Sequence, residues 1–110
     1  MPYSGSDEAW YSTGDRAWEG VIQDGKREGK YTKWHESGGR SMVAHFKEGK
    51  PSGNWIQWYE NGNPELMTEF REGKEVSTTF YDMKGRIISA NRYLAQLRYR
   101  NRHRSPVFRY

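Results

Sequence analysis

The chain repeats itself every 24 residues, and this constrains its fold more than any local motif does. Gly25, Gly49 and Gly73 stand one period apart, each followed by Lys. The same step relates Gly5, Gly29 and Gly53; Trp10, Trp34 and Trp58; and Gly14, Gly38 and Gly62. Two apolar columns keep it as well: Trp18, Met42 and Leu66, then Ile22, Phe46 and Phe70. A last copy, Phe80-Tyr81-Asp82-Met83-Lys84-Gly85, retains an aromatic pair and the Gly. It reads with one extra loop residue and lacks the Gly expected at Ser77. A unit this short cannot bury an apolar face alone, so it must stack on its neighbours.

Each unit reads as a β-hairpin. Aromatic and β-branched residues (Trp55, Ile56, Trp58, Tyr59) precede Asn61-Gly62, whose two residues tolerate positive φ and so favour a tight loop. A second strand ends at Phe70, and Arg71-Glu72-Gly73-Lys74 turns the chain into the next unit. A two-residue loop at Asn61-Gly62 pairs Glu60 with Asn63. Counting outward sets Trp55 opposite Thr68, Gly53 opposite Phe70, Gly29 opposite Phe46 and Gly5 opposite Ile22. A ring facing a Gly can cover its bare backbone, which would account for both columns. On this register one face holds Tyr31, Met42, Phe46, Trp55, Tyr59, Leu66 and Phe70, and is the expected core. The other holds a stripe of Trp10, Trp34, Trp58 and Phe80 among Val43, Ile56, Met67, Glu36, His45, Glu60 and Glu69. That face is amphipathic.

The pattern Gly-Lys-x-x-Gly-x-aromatic, then Trp-Tyr-Glu-Asn-Gly, resembles the MORN-type repeat in the variant common in bacterial antitoxin-like proteins. Gly49-Lys50-Pro51-Ser52-Gly53-Asn54-Trp55 leading to Trp58-Tyr59-Glu60-Asn61-Gly62 is its best copy, and Gly25 to Trp34 its second. The resemblance spans about residues 5–90. It implies an all-β, open antiparallel meander of three to four stacked hairpins that acts as an interaction module, with no shared catalytic residue to transfer. The expected organisation is a repeat domain over 1–90 and an Arg-rich C-terminal helix or tail over 91–110.

Composition agrees with a thin aromatic core. Only 34% of residues are hydrophobic, yet 15% are aromatic, and each ring buries a large area. Without cysteine there is neither a disulfide framework nor a thiolate metal site. No apolar run is long enough to span a bilayer and no secretory signal opens the chain, so a cytoplasmic protein is expected.

Catalysis finds no constellation to rest on. Asp24, Glu28, Glu48, Glu60 and Glu72 sit at turns rather than paired in a pocket. His35, His45 and His103 lack metal-ligand spacing, and His35 stands in the column of Tyr59, as an aromatic substitute. The Gly-Lys pairs lack the spacer and the following Ser or Thr of a phosphate loop. No enzyme, cofactor or metal is expected.

Two features remain. The stripe of Trp10, Trp34, Trp58 and Phe80 is read as cross-strand stabilisation that can double as a partner-binding surface. The C-terminal stretch carries seven Arg (86, 92, 98, 100, 102, 104, 109) and no acid. Taking these seven cations from the net charge of +4 leaves residues 1–85 at −3. Ala90, Tyr93, Leu94 and Leu97 make one apolar helical edge, which predicts a capping helix over the last hairpin. Its cations, with Arg92, Arg98, Tyr99, Arg100, Arg102, His103 and Arg104 as the contact residues, suit an acidic protein surface or the phosphates of RNA or DNA. The expected function is binding of another macromolecule, a protein such as a toxin or effector first. Nucleic acid through the tail is the alternative.

Overall fold

The computed structural model describes residues 2–102. They form one antiparallel sheet of nine strands: β1 (Gly5–Trp10), β2 (Arg16–Gln23), β3 (Lys26–Trp34), β4 (Arg40–Lys47), β5 (Lys50–Pro51), β6 (Gly53–Trp58), β7 (Pro64–Arg71), β8 (Lys74–Tyr81) and β9 (Ile87–Ile88). Neighbours in sequence are neighbours in space, except that β4 pairs with both β5 and β6, which are two pieces of one strand broken at Ser52. A helix, α1 (Ala90–Arg102), ends the described chain. The radius of gyration is 15.8 Å, against about 13 Å for a compact domain of this length. The molecule is a flat, open meander.

The outer register matches the sequence count: Gly53 faces Phe70, Trp55 faces Thr68, Gly29 faces Phe46 and Gly5 faces Ile22. The loop itself is longer than two residues. Gly62 N–H donates to Tyr59 O (3.0 Å) and Tyr59 N–H to Asn63 O (2.9 Å), so Tyr59, not Glu60, pairs with Asn63. Glu60, Asn61 and Gly62 form a three-residue loop, with Gly62 at φ 92°. This moves the pairing by one, and a bulge at Glu65 between the Trp58–Pro64 and Gln57–Leu66 pairs moves it back. The two shifts cancel. Two-residue loops do occur, at the other end of the sheet, where Asp24-Gly25, Glu48-Gly49 and Glu72-Gly73 all have positive φ.

Two expectations need correction. Phe46 and Phe70 do not cover the glycines they face, since neither comes within 4 Å of where a Cβ on Gly29 or Gly53 would stand. These glycines are required by their φ of 76° and 66°, in a bulge where β3 and β6 carry two residues more than their partners. The last unit has no extra loop residue either. Asp82 N–H donates to Arg86 O (2.8 Å) and Gly85 N–H to Asp82 O (3.0 Å), the same loop as in the other three hairpins. The difference lies upstream, where β8 carries a single bulge residue, Val76, between the Phe70–Glu75 and Glu69–Ser77 pairs. A one-residue bulge shortens the period and has no use for a Gly at Ser77.

On the expected core face Tyr31, Phe46, Trp55 and Phe70 stack in a ladder, with successive ring centroids 6.1, 5.3 and 4.8 Å apart. Each such pair contributes about 0.5–1.5 kcal/mol beyond the area it buries. Ala44 is fully buried between these strands, and the Trp55 indole N–H donates to His45 O (3.0 Å) across the break in β5–β6. The core is thin, as expected: among the described residues no large side chain is completely buried. It also extends through the sheet, because Thr32 and its cross-strand partner Val43 are buried on the amphipathic face.

Hydrogen bonds tie each hairpin to the next in one direction. Tyr11 O–H donates to Trp34 O (2.5 Å), His35 Nε2–H to Trp58 O (2.9 Å) and Tyr59 O–H to Tyr81 O (2.6 Å). Because a carbonyl only accepts, the bond fixes the proton of His35 on Nε2, and His35 does stand in for a tyrosine. The next residue in this column is Asp82. Its carboxylate turns back to accept from the backbone N–H groups of Arg86 (3.0 Å) and Lys84 (2.9 Å) and from Arg86 Nε (2.7 Å). The series stops there.

Candidate functional site: a tryptophan–arginine row and a docked basic helix

Residues just before the long loops build the exposed site. Trp10 pairs with Arg16 and Trp34 with Arg40, while Trp58 pairs with Pro64. Arg16 lies 5.2 Å from the Trp10 ring and Arg40 lies 4.8 Å from the Trp58 ring of the next hairpin. Indole and guanidinium therefore alternate across five strands as Trp10, Arg16, Trp34, Arg40 and Trp58. Trp10 is 54% exposed, and Trp34 and Trp58 are half-buried.

The fourth ring of this row is Tyr81, not Phe80. Tyr81 is one period after Trp58 once the shortened unit is counted, and its carbonyl receives Tyr59 as Trp34 and Trp58 receive theirs. Phe80 points to the opposite face and packs on Tyr93 of α1, with centroids 4.8 Å apart. The one-residue deletion at the Val76 bulge explains the exchange, since a shift of one residue moves a side chain to the other face.

Between the rings the repeat builds one concavity twice. Asp15, Arg16, Trp34, Ser37 and Gly38 line a groove of about 430 Å³. One period on, Gly39, Arg40, Trp58, Glu60 and Gly62 line another of about 210 Å³. Arg16 is occupied by Glu8 (3.2 Å) and Glu19. Arg40 has no carboxylate partner among the described residues. A larger groove of about 470 Å³ lies at the opposite end of the sheet, but its lining mixes two cations, Lys26 and Lys47, with three anions, Asp24, Glu28 and Glu48.

The helix starts at a Ser89 cap, where Oγ accepts from Arg92 N–H (3.1 Å). Its inward side is Tyr93, Gln96 and Leu97, with Arg100 exposed at its edge, whereas Ala90 and Leu94 from the predicted apolar edge are exposed away from the sheet contacts. Tyr93 O–H donates to Glu65, Gln96 Nε2 to Tyr59 O–H (2.6 Å), and Arg100 pairs with Glu65 at 3.3 Å. Burial, then the hydrogen bond to the Glu65 carboxylate, pushes the Tyr93 phenol above its ordinary value. Glu65 is the bulge residue of its hairpin, and its equivalents are Ala17 and Ser41. The charge appears only in the unit where the helix lands. That break in an otherwise bland column was the one sequence signal for the docking, and it was missed.

The predicted basic contact residues are thus divided. Arg92 and Arg98 are exposed and Tyr99 is 62% exposed, while Arg100, 40% exposed, is engaged by Glu65. Arg102 ends the helix, and His103 and Arg104 lie outside the described residues. Among the described residues no group of three or more His, Asp or Glu could hold a metal ion, and no helix is long and apolar enough to cross a membrane.

Comparison with known proteins adds no name to this geometry: no family model matches the chain, and neither a curated protein nor a solved structure is detectably similar to it.

Proposed function

We propose that the protein is a non-enzymatic, MORN-type binding module of the cytoplasm that grips another protein with the uncovered face of its sheet and the outer side of α1. The observation that carries this reading is the row from Trp10 to Trp58. Aromatic and Arg side chains are the residue types that dominate binding energy at protein interfaces. Here they recur at fixed spacing on a face with no second layer. A toxin-neutralising or otherwise inhibitory role suits such a binder and follows from the antitoxin-like resemblance. The test is co-purification of a stoichiometric partner under nuclease treatment, with Trp10→Ala and Arg40→Ala against wild type. Retention of the partner by both variants would defeat the reading.

Nucleic acid binding through the helix is the second reading, supported by the exposure of Arg92 and Arg98. The pairing of Arg100 with Glu65 occupies one of the helix's cations. Retention of RNA or DNA at low salt should fall with Arg92→Ala/Arg98→Ala if this reading holds, because each lost phosphate contact reduces the salt-dependent affinity.

A further inference from the structure

We propose that the tryptophan–arginine row receives a polyproline II segment, with an acidic residue of that segment against Arg40. The proposal rests on the protein-binding reading and names the partner's chemistry.

Spacing is the first argument. Trp10, Trp34, Trp58 and Tyr81 lie on β1, β3, β6 and β8, each two strands from the next. Two strand spacings are about 9.6 Å. A polyproline II helix advances about 9.3 Å per three-residue turn. Over the three intervals from Trp10 to Tyr81 the two differ by about 1 Å in total. An α-helix presenting every seventh residue advances about 10.5 Å and would be nearly 3 Å out of step over the same distance. Each ring can therefore meet one turn of a polyproline II ligand, with the paired grooves between rings receiving the residues in between.

Hydrogen bonding is the second argument, and it is independent of the first. Trp18 and Trp55, on the core face, spend their indole N–H groups on Asp7 and on His45 O. Among the described residues, Trp10, Trp34 and Trp58 have no acceptor for theirs. The row thus presents three unused donors in file. A polyproline II backbone makes no internal hydrogen bonds, so its carbonyls are the matching acceptors. Charge completes the fit. Arg16 already carries two carboxylates, Glu8 and Glu19, on its Nη1, whereas Arg40 has none among the described residues, so the ligand needs its acid in the second groove.

The test is a titration of the labelled protein with a blocked nonapeptide of three Pro-Pro-Glu units, read on the five indole N–H resonances. The row predicts saturable shifts of Trp10, Trp34 and Trp58 with Trp18 and Trp55 unmoved. Arg40→Glu should weaken binding at least fivefold, and Lys47→Glu, the same charge change at the far end of β4, should not. Trp10→Ala, at a side chain half open to solvent, gives a second variant whose fold is secure. Equal binding of a Gly-Ser-Glu nonapeptide would overturn the proposal, since charge alone would then suffice. So would an oligothymidylate that shifts the row while the proline peptide does not. If the proline peptide fails but Trp10→Ala and Arg40→Ala still release a protein partner, the binding reading stands and this inference falls. If they release nothing, both fall.

Discussion

Replacing Tyr93 by Ala should free α1 while leaving the first hairpins folded. Tyr93 is 6% exposed, packs on Phe80 and donates to Glu65. Truncating a buried aromatic residue costs about 3–5 kcal/mol. Beside half-buried Leu97, the polar docking contacts left to Gln96 and Arg100 are the Gln96–Tyr59 bond, worth about 1 kcal/mol, and the partly exposed Arg100–Glu65 pair, worth about 1 kcal/mol or less. The Arg100 guanidinium, 5.7 Å from the Tyr59 ring, adds about 0.5–1 kcal/mol. The helix has 13 residues, and a helix of about that length is only marginally stable alone in water. The loss therefore exceeds what is left, and α1 should open locally rather than pull the sheet apart. Hydrogen exchange reads this directly: protection over Arg92–Arg102 should collapse while that of β2, β3 and β4 persists. Tyr93→Phe keeps the ring and forfeits only the bond to a charged acceptor, about 1.5–3 kcal/mol, so it should weaken protection without abolishing it. Unchanged protection in Tyr93→Ala, or its equal loss in β2–β4, would refute the reasoning.

Three other outcomes follow from the same contacts. Gly62→Ala should cost about 1–3 kcal/mol in chemical denaturation through backbone strain alone, since φ is 92° and no atom lies within 4 Å of the added methyl. Trp55→Ala, in the middle of the ring ladder, should cost about 3–5 kcal/mol, and Trp10→Ala less than about 1 kcal/mol, as compared by thermal melting. For pH, a phenol raised above 10.0 in the folded state stabilises below the unfolded value and loses that contribution as pH climbs past it. Protection of α1 should therefore fall above about pH 10, less so in Tyr93→Phe. Asp82 is shifted the opposite way, lowered chiefly by the Arg86 backbone N–H against the cost of burial. Its contribution is present above about pH 4 and lost as pH falls further, which heteronuclear spectra of the last loop should register.

The hairpins, as three to four, and their outer register were legible because a 24-residue period and alternating faces leave few alternatives. Local detail was less so. A three-residue loop and a bulge at Glu65 offset each other, and only backbone hydrogen bonds separate that pair from a plain two-residue loop. The glycine columns were seen for what faces them, whereas their reason lies in their own φ. Phe80 was placed in the exposed row because the deletion at Val76 is silent in sequence and yet reverses a face. Glu65 went unnoticed since a carboxylate in a polar sequence draws no attention until its column reads Ala17, Ser41, Glu65.

The one-way series of bonds from Tyr11, His35 and Tyr59 gives the molecule a grammar for changing its length. A further 24-residue unit could be spliced between two hairpins, because its Tyr would find a carbonyl ahead and its own carbonyl would find a Tyr behind. Nothing can be appended beyond the fourth hairpin on the same terms. Asp82 has already closed on its own loop, and a longer array would first have to restore an aromatic donor there.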